Sequence, residues 1–302
     1  MPGTEPIRHA VAVPVGGEIA VLEWPTVQAD APALMLAHAN GFCAQLWRAV
    51  AVSLSKHYRV FAYDARGHGE TTLDASEQQL HWDVLHDDLI ALLERLPTRF
   101  NLRLPVHAAG HSMGGMTILC AAAKRPDLFA TLTALDPVVW FPENNHAPAS
   151  VTRKGQLVNA ARKRRAQFSS RREAYTAWRN RATFAAWDEA TFGAYVEHGL
   201  RDNAQGVVLR CAPQTEATIF DVRWAEDMRV LARRMDIAGL LVHAEQGHFR
   251  RSLHEELVEL APGLSLETNA GDHFFPMTDP YGTAETIHRS ISERTKHLGE
   301  PV

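Results

Sequence analysis

Apolar residues follow two rhythms along this chain. The opening reads as two strands, Ala10 to Val15 and Ile19 to Trp24, joined at Gly16-Gly17. A glycine pair supplies the positive φ values that a tight hairpin turn needs. From Ala33 short continuous apolar runs alternate with longer amphipathic ones. Ala33 to Ala37, Arg59 to Tyr63, Pro105 to Ala109 and Thr131 to Leu135 are predicted strands, and Leu46 to Leu54, Leu80 to Leu96 and Met116 to Lys124 predicted helices. The second helix carries Leu85, Leu89, Leu92, Leu93 and Leu96 on one stripe. The third is apolar almost all round, as a buried helix would be, and stops before Pro126, which cannot continue it. Continuous apolar strands alternating with helices imply an α/β fold, a mostly parallel central sheet covered by helices on both faces. Sheets of this kind hold their chemistry at the carboxyl ends of the strands.

The alternation stops near Trp140. The following stretch turns arginine-rich and aromatic: Arg162 to Arg165 (with Lys163), Arg171, Arg172, Tyr175, Trp178, Phe184, Trp187, Phe192 and Tyr195. It reads as an inserted helical cap over residues 140–222, between core segments 1–139 and 223–302. The parallel pattern resumes with strands at Gly239 to His243 and Leu264 to Thr268 and helices at Leu253 to Leu260 and Gly282 to His297.

Composition narrows the classes. The chain has 302 residues, 46% of them apolar and 22% charged, enough to bury a full core. The formal net charge of −4 excludes a globally basic nucleic-acid binder, so the basic run in the insertion reads as a solvated face. Three cysteines, Cys43, Cys120 and Cys211, without C-x-x-C spacing argue against a disulfide framework and a structural zinc site. Apolar runs fall short of the roughly 20 residues of a spanning helix, and Met1 to Val15 lacks the pattern of an export signal. The expectation is a cytoplasmic protein acting on a small molecule, without nucleic acid, membrane, metal or cofactor.

Chemistry concentrates in Gly110-His111-Ser112-Met113-Gly114, a G-x-S-x-G set between a predicted strand and a predicted helix. A serine on a tight strand-to-helix turn projects its hydroxyl above the sheet, and small neighbours let strand and helix approach. The helix N-terminus adds partial positive charge and free N–H groups. The plainer alternative is a glycine-rich turn whose serine only caps the helix.

With this motif the chain resembles the α/β-hydrolase fold family over nearly its whole length. Three further segments carry the likeness. His38-Ala39-Asn40-Gly41-Phe42 is similar to the family's oxyanion loop, with Ala39 where glycine is usual. Asp64-Ala65-Arg66-Gly67-His68-Gly69 is similar to its D-x-R-G-H-G turn. Gly271-Asp272-His273-Phe274 is similar to its histidine loop. The resemblance implies Ser112 as nucleophile and His273, among 16 histidines that composition cannot separate, as base. It also implies backbone N–H groups of Asn40 and Met113 as the oxyanion hole. His38 and His111 read as structural, with His111 adjoining the substrate pocket.

The orienting acid departs from the family pattern. Its usual position, after the strand ending at His243-Ala244, falls on Gly247. Asp136, at the end of the strand after the nucleophile, is the first substitute and Glu245 the second; neither is also open, because Asp-Pro is ordinary turn chemistry. Asp272 adjoins the base and would point away. Phe42, His111, Trp140, Phe141 and Phe274 are the expected pocket residues. The reading is a serine hydrolase forming an acyl-enzyme with a small to medium carboxylic ester that has an apolar part. Cleavage of a carbon–carbon bond in a diketone-type acid, and thioester or lactone hydrolysis, are alternatives within the fold. A ligand-binding protein with little turnover is the alternative outside it. Dehalogenase and epoxide chemistry are disfavoured because they use aspartate where this chain has Ser112.

Overall fold

The computed structural model describes residues 5–26, 28, 30–141, 148–221 and 227–298. Of the borders expected for the insertion, the 139/140 junction lies within the described residues and the 222/223 junction outside them.

The chain runs β1 (Ile7–Ala12), β2 (Glu18–Trp24), β3 (Ala33–Ala37), α1 (Arg48–Leu54), β4 (Arg59–Tyr63), α2 (Trp82–Leu93), α3 (Leu96–Phe100), β5 (Val106–His111), α4 (Met113–Lys124) and β6 (Phe129–Leu135). It continues α5 (Pro148–Arg162), β7 (Gln167–Phe168), α6 (Arg171–Arg179), α7 (Ala182–Ala185), α8 (Glu189–His198), β8 (Leu200–Asn203), β9 (Gly206–Leu209) and α9 (Pro213–Asp221). It ends α10 (Met228–Arg233), β10 (Gly239–Ala244), α11 (Arg251–Leu260), β11 (Leu264–Asn269), α12 (Phe275–Thr278) and α13 (Pro280–Leu298).

Eight strands form one sheet in the order β1-β2-β4-β3-β5-β6-β10-β11. The first two pairings, β1 with β2 and β2 with β4, are antiparallel, and those from β4 onward are parallel. The central strands β3 and β5 are buried along their whole length, which their continuous apolar and small residues permit. One face is covered by α2, α4, α10 and α11 through Leu85, Leu89, Leu92, Ile118, Leu231 and Leu257. The other is covered by α1 and α13 through Val50, Leu54, Ile287 and Ile291.

The stretch between β6 and β10 is not purely helical. Besides α5 to α10 it contains a small antiparallel sheet in the order β7-β9-β8. The short alternating run Gly206–Leu209 buries Val207 and Leu209 against Phe168 and Leu200 in a separate aromatic cluster. Among the described residues no helix is long and apolar enough to cross a membrane.

Candidate active site

Strand β5 ends at His111 and α4 begins at Met113, so one residue makes the turn between them. Ser112 takes it with φ 54° and ψ −112°, a backbone that side chains other than glycine rarely adopt. The flanking glycines explain how the turn closes. A Cβ on Gly110 would stand 2.4 Å from the Gly114 carbonyl oxygen, and one on Gly114 would stand 2.2 Å from that of Ala37 and 2.7 Å from that of His38. The helix therefore starts against the end of β3 and the loop that follows it.

Three side chains from distant parts of the sequence meet at this turn. His273 Nε2 lies 3.1 Å from Ser112 Oγ, and His273 Nδ1 lies 2.5 Å from Asp136 Oδ2. Asp136 is fully buried at the end of β6 and also takes φ 40°, tolerable for aspartate. Its other oxygen accepts the Ala244 N–H at 3.0 Å. Because the carboxylate can only accept from Nδ1–H, the His273 tautomer that results leaves its Nε2 lone pair facing the serine hydroxyl. Burial pushes the Asp136 carboxyl up, but the hydrogen bond and charge of His273, with the Ala244 N–H and His254, outweigh it and hold the group below the usual carboxylate range.

The structure brings Asp136, and not Glu245, to the histidine. Glu245 is exposed, beyond the end of β10. Gly247, the family's usual acid position, lies against the same spot: a Cβ there would be 2.9 Å from Asp136 Oδ2. The two acid positions converge on one point, and glycine leaves room for the carboxylate arriving from β6. Asp272 points elsewhere, accepting the Phe274 N–H at 2.8 Å.

The loop after β3 is held by residues of the Asp64 turn. His68 Nε2 accepts the Gly41 N–H at 2.9 Å, and His38 Nε2 accepts the Ala65 N–H at 3.0 Å. Each imidazole donates its Nδ1–H to a carbonyl, of Arg66 and Ala39 respectively. Burial keeps both neutral, lowering His68 to about 3 and His38 to about 4. Asp64 accepts the Ala44 and Glu70 N–H groups, and Arg66 forms a bidentate pair with Asp88. The D-x-R-G-H-G segment is thus a brace for the loop. Among the described residues, neither the Asn40 nor the Met113 N–H donates a backbone hydrogen bond.

Three further residues, Tyr195, Arg164 and Glu216, tie the braced loop to the stretch between β6 and β10. Tyr195 OH donates to the Gly41 carbonyl at 3.1 Å, and Arg164 donates to the Tyr195 oxygen and to Glu216. Glu216 in turn lies under Gly41, and its backbone carbonyl accepts from Asn40 Nδ2 at 3.0 Å. Arg164 sat in a run read as a solvated face; it is instead mostly buried, against Trp178 and Tyr195. No local pattern distinguishes it from Arg162 or Arg165, because its partners are remote in sequence.

Of the expected pocket residues, Phe42 and Phe274 stand together. Phe42 packs edge-on against Trp187 at 5.2 Å and Tyr195 at 5.5 Å, and lies 6.1 Å from Phe274. His111 is wholly buried 4.7 Å from the His273 ring, and its Nε2–H donates to the His273 carbonyl at 2.7 Å. Burial lowers its pKa to about 3. Phe141 is placed elsewhere: it is fully buried in the main core under the Arg229 guanidinium, 4.2 Å above its ring. Trp140 lies beside it, its N–H on the Met228 sulfur at 3.4 Å.

The sequence profile of the alpha/beta hydrolase family matches residues 34–286. An (E)-2-((N-methylformamido)methylene)succinate hydrolase of Acinetobacter baylyi is 36% identical over 111 residues, 37% of this chain and 40% of that protein. 3-Oxoadipate enol-lactonase 1 of the same organism is 29% identical over 135 residues, 43% of this chain and 47% of that one. The chain thus spans less than half the length of these curated relatives. A solved structure of E-2-(acetamidomethylene)succinate hydrolase superposes with a TM-score of 0.78 over 95% of this chain and 100% of that one, at 20% identity.

Proposed function

This chain belongs to the alpha/beta hydrolase family, and from that premise we propose that it is a serine hydrolase working through an acyl-enzyme on Ser112. The observation that carries the reading is the unbroken line Asp136 Oδ2, His273 Nδ1, His273 Nε2, Ser112 Oγ, with contacts of 2.5 and 3.1 Å. His273 takes the serine proton as the hydroxyl attacks the substrate carbonyl, then returns it to the leaving group. Asp136 fixes the tautomer and stabilises the imidazolium. The N–H groups of Asn40 and Met113 receive the oxyanion, each worth on the order of 3 kcal/mol of barrier. Water activated by His273 then cleaves the acyl-enzyme. The complete line supports turnover over mere ligand capture.

The substrate read from the site is a small to medium carboxylic ester with an apolar part. Phe42, Phe274, Trp187 and Tyr195 supply an aromatic wall beside His273, and the buried Arg164 is already neutralised by Glu216. In this reading residues 140–222 form the cap over the site. A second reading, a lactone or an unsaturated amide acid, is favoured by the named activities of the two curated relatives. A panel of p-nitrophenyl esters of graded acyl length, run beside lactones, thioesters, diketone acids and enamide acids, separates them. The ester reading predicts a burst equal to the enzyme concentration and a rate that climbs with acyl length. Turnover of the lactone or enamide alone would transfer the assignment, and tight binding without a burst would leave a receptor.

A further inference from the structure

Asp136 has a second set of neighbours that the proposed reaction does not use. His243, near the end of β10, and His254, on α11, are both buried beside it. His254 Nε2–H donates to the Pro137 carbonyl at 3.0 Å, which leaves its Nδ1 as a lone pair turned inward. His243 Nδ1 lies 3.1 Å from that nitrogen and 3.8 Å from Asp136 Oδ1. The two imidazoles share one proton. All three donor atoms lie within 4.8 Å of one another.

From this arrangement we infer that Asp136, His243 and His254 form a binding site for a divalent transition ion of the zinc class, and that its occupancy silences the enzyme. Two imidazole nitrogens and one carboxylate oxygen are a donor set that zinc accepts, at about 2.0–2.2 Å from the ion. Donors that close to one ion lie about 3.3 Å apart; two of the three separations, 3.1 and 3.8 Å, bracket that spacing, and the third lies within 4.8 Å, so the site closes with a small movement of His254 or Asp136. The Pro137 carbonyl supplies the outer hydrogen bond that orients a metal-bound histidine. On binding, His243 moves its proton from Nδ1 to Nε2, so both ligands stay neutral and no proton is lost. Water fills the fourth position. The 245–250 loop, which sets Phe249 6.1 Å from the His254 ring and is exposed at Glu245, Gln246, His248 and Arg250, is the inferred entry path for the ion.

The inhibitory consequence rests on the proposed function; the site itself does not. An ion on Asp136 Oδ1 places net positive charge one hydrogen bond from His273, where the imidazolium must form. That opposes proton transfer from Ser112 and lowers kcat.

The test is equilibrium dialysis of metal-free protein against Zn²⁺, with zinc-edge X-ray absorption on the loaded wild type. Wild type and Ser112→Ala each hold one ion, with two imidazole nitrogens and at least one oxygen at about 2.0–2.1 Å. His243→Gln and His254→Gln each weaken binding at least tenfold, and Zn²⁺ inhibits wild-type ester hydrolysis reversibly on chelation. Failure to bind, a shell containing sulfur or only oxygen, or undiminished binding in both histidine variants overturns the site. Undiminished binding would point instead to the stacked His57–His288 pair, with ring centroids 4.2 Å apart. Should those variants not fold, His57→Gln decides: unchanged binding with the same shell keeps the site at Asp136, and lost binding moves it to the His57–His288 pair. The expected shell with unimpaired hydrolysis would preserve the site and overturn the role given to Asp136.

Discussion

Exchanging the residues at positions 136 and 247 probes how the acid is delivered. Asp136→Gly removes the acceptor of His273 Nδ1–H while tolerating φ 40°. Loss of a triad acid lowers kcat by about 10⁴, some 5.5 kcal/mol of barrier. Gly247→Asp alone crowds a second carboxylate onto the first, since its Cβ would stand 2.9 Å from Asp136 Oδ2. Two like charges about 4 Å apart repel by about 4 kcal/mol at an effective dielectric of 20, so this variant is destabilised or keeps one carboxyl protonated. The double exchange removes that conflict. It also presents a carboxylate to His273 from the position more usual in the family. The Ala244 carbonyl, 2.9 Å from the new Cβ, must give slightly, so recovery is partial. The expected result is a rise in kcat of roughly tenfold or more over Asp136→Gly, equivalent to at least about 1.4 kcal/mol. Steady-state hydrolysis of a p-nitrophenyl ester, with a melting curve for each variant, reads it. A folded double variant no more active than Asp136→Gly would refute the convergence argument.

Other perturbations reach the scaffold. Gly114→Ala drives a Cβ to 2.2 Å from the Ala37 carbonyl oxygen; overpacking of about 1–3 kcal/mol should lower Tm by roughly 2–5 °C, and an unchanged melt would contradict the close packing. Tyr195→Phe keeps the ring in the aromatic wall but removes the hydrogen bond to the Gly41 carbonyl, so kcat should fall about 3- to 10-fold; an unchanged kcat would show that this bond does not hold the loop for catalysis. Acid should unfold the protein early. His38, His68 and His111 stay neutral when folded, with values of about 4, 3 and 3, whereas the unfolded chain takes up protons below about pH 6.5. Their contribution is complete above about pH 6.5 and is lost as pH falls toward the folded values: about 2 kcal/mol each at pH 5, on the order of 6 kcal/mol together. Urea midpoints that stay level from pH 7 to 5 would contradict it.

The sequence pattern located the sheet closely. Ala33–Ala37 and Arg59–Tyr63 coincide with β3 and β4, because strands buried on both faces leave continuous apolar runs, broken here only at the half-buried Arg59. Ser112 was legible for a local reason: strand, turn and helix adjoin in sequence, and Gly110 and Gly114 are required within five residues of each other. Leu80 to Leu96 read as one helix but is broken after Leu93, and Pro97 falls at the start of the short α3. The β7-β9-β8 sheet leaves no sequence signal, because strands of two to four residues carry too little alternation. The choice between Asp136 and Glu245 stayed open for a different reason. It depends on which strand end faces His273, and that follows from β6 lying between β5 and β10 in the sheet. The Arg164–Glu216 pair, 52 residues apart, is likewise a product of tertiary folding.

Intact-mass measurement after treatment with a fluorophosphonate, followed by peptide mapping, tests most directly whether the Ser112 hydroxyl is activated by His273. The account predicts one adduct per chain, located on Ser112, absent in Ser112→Ala and slowed by orders of magnitude in His273→Ala. A folded wild-type protein that hydrolyses an ester yet takes up no adduct on Ser112 would contradict it.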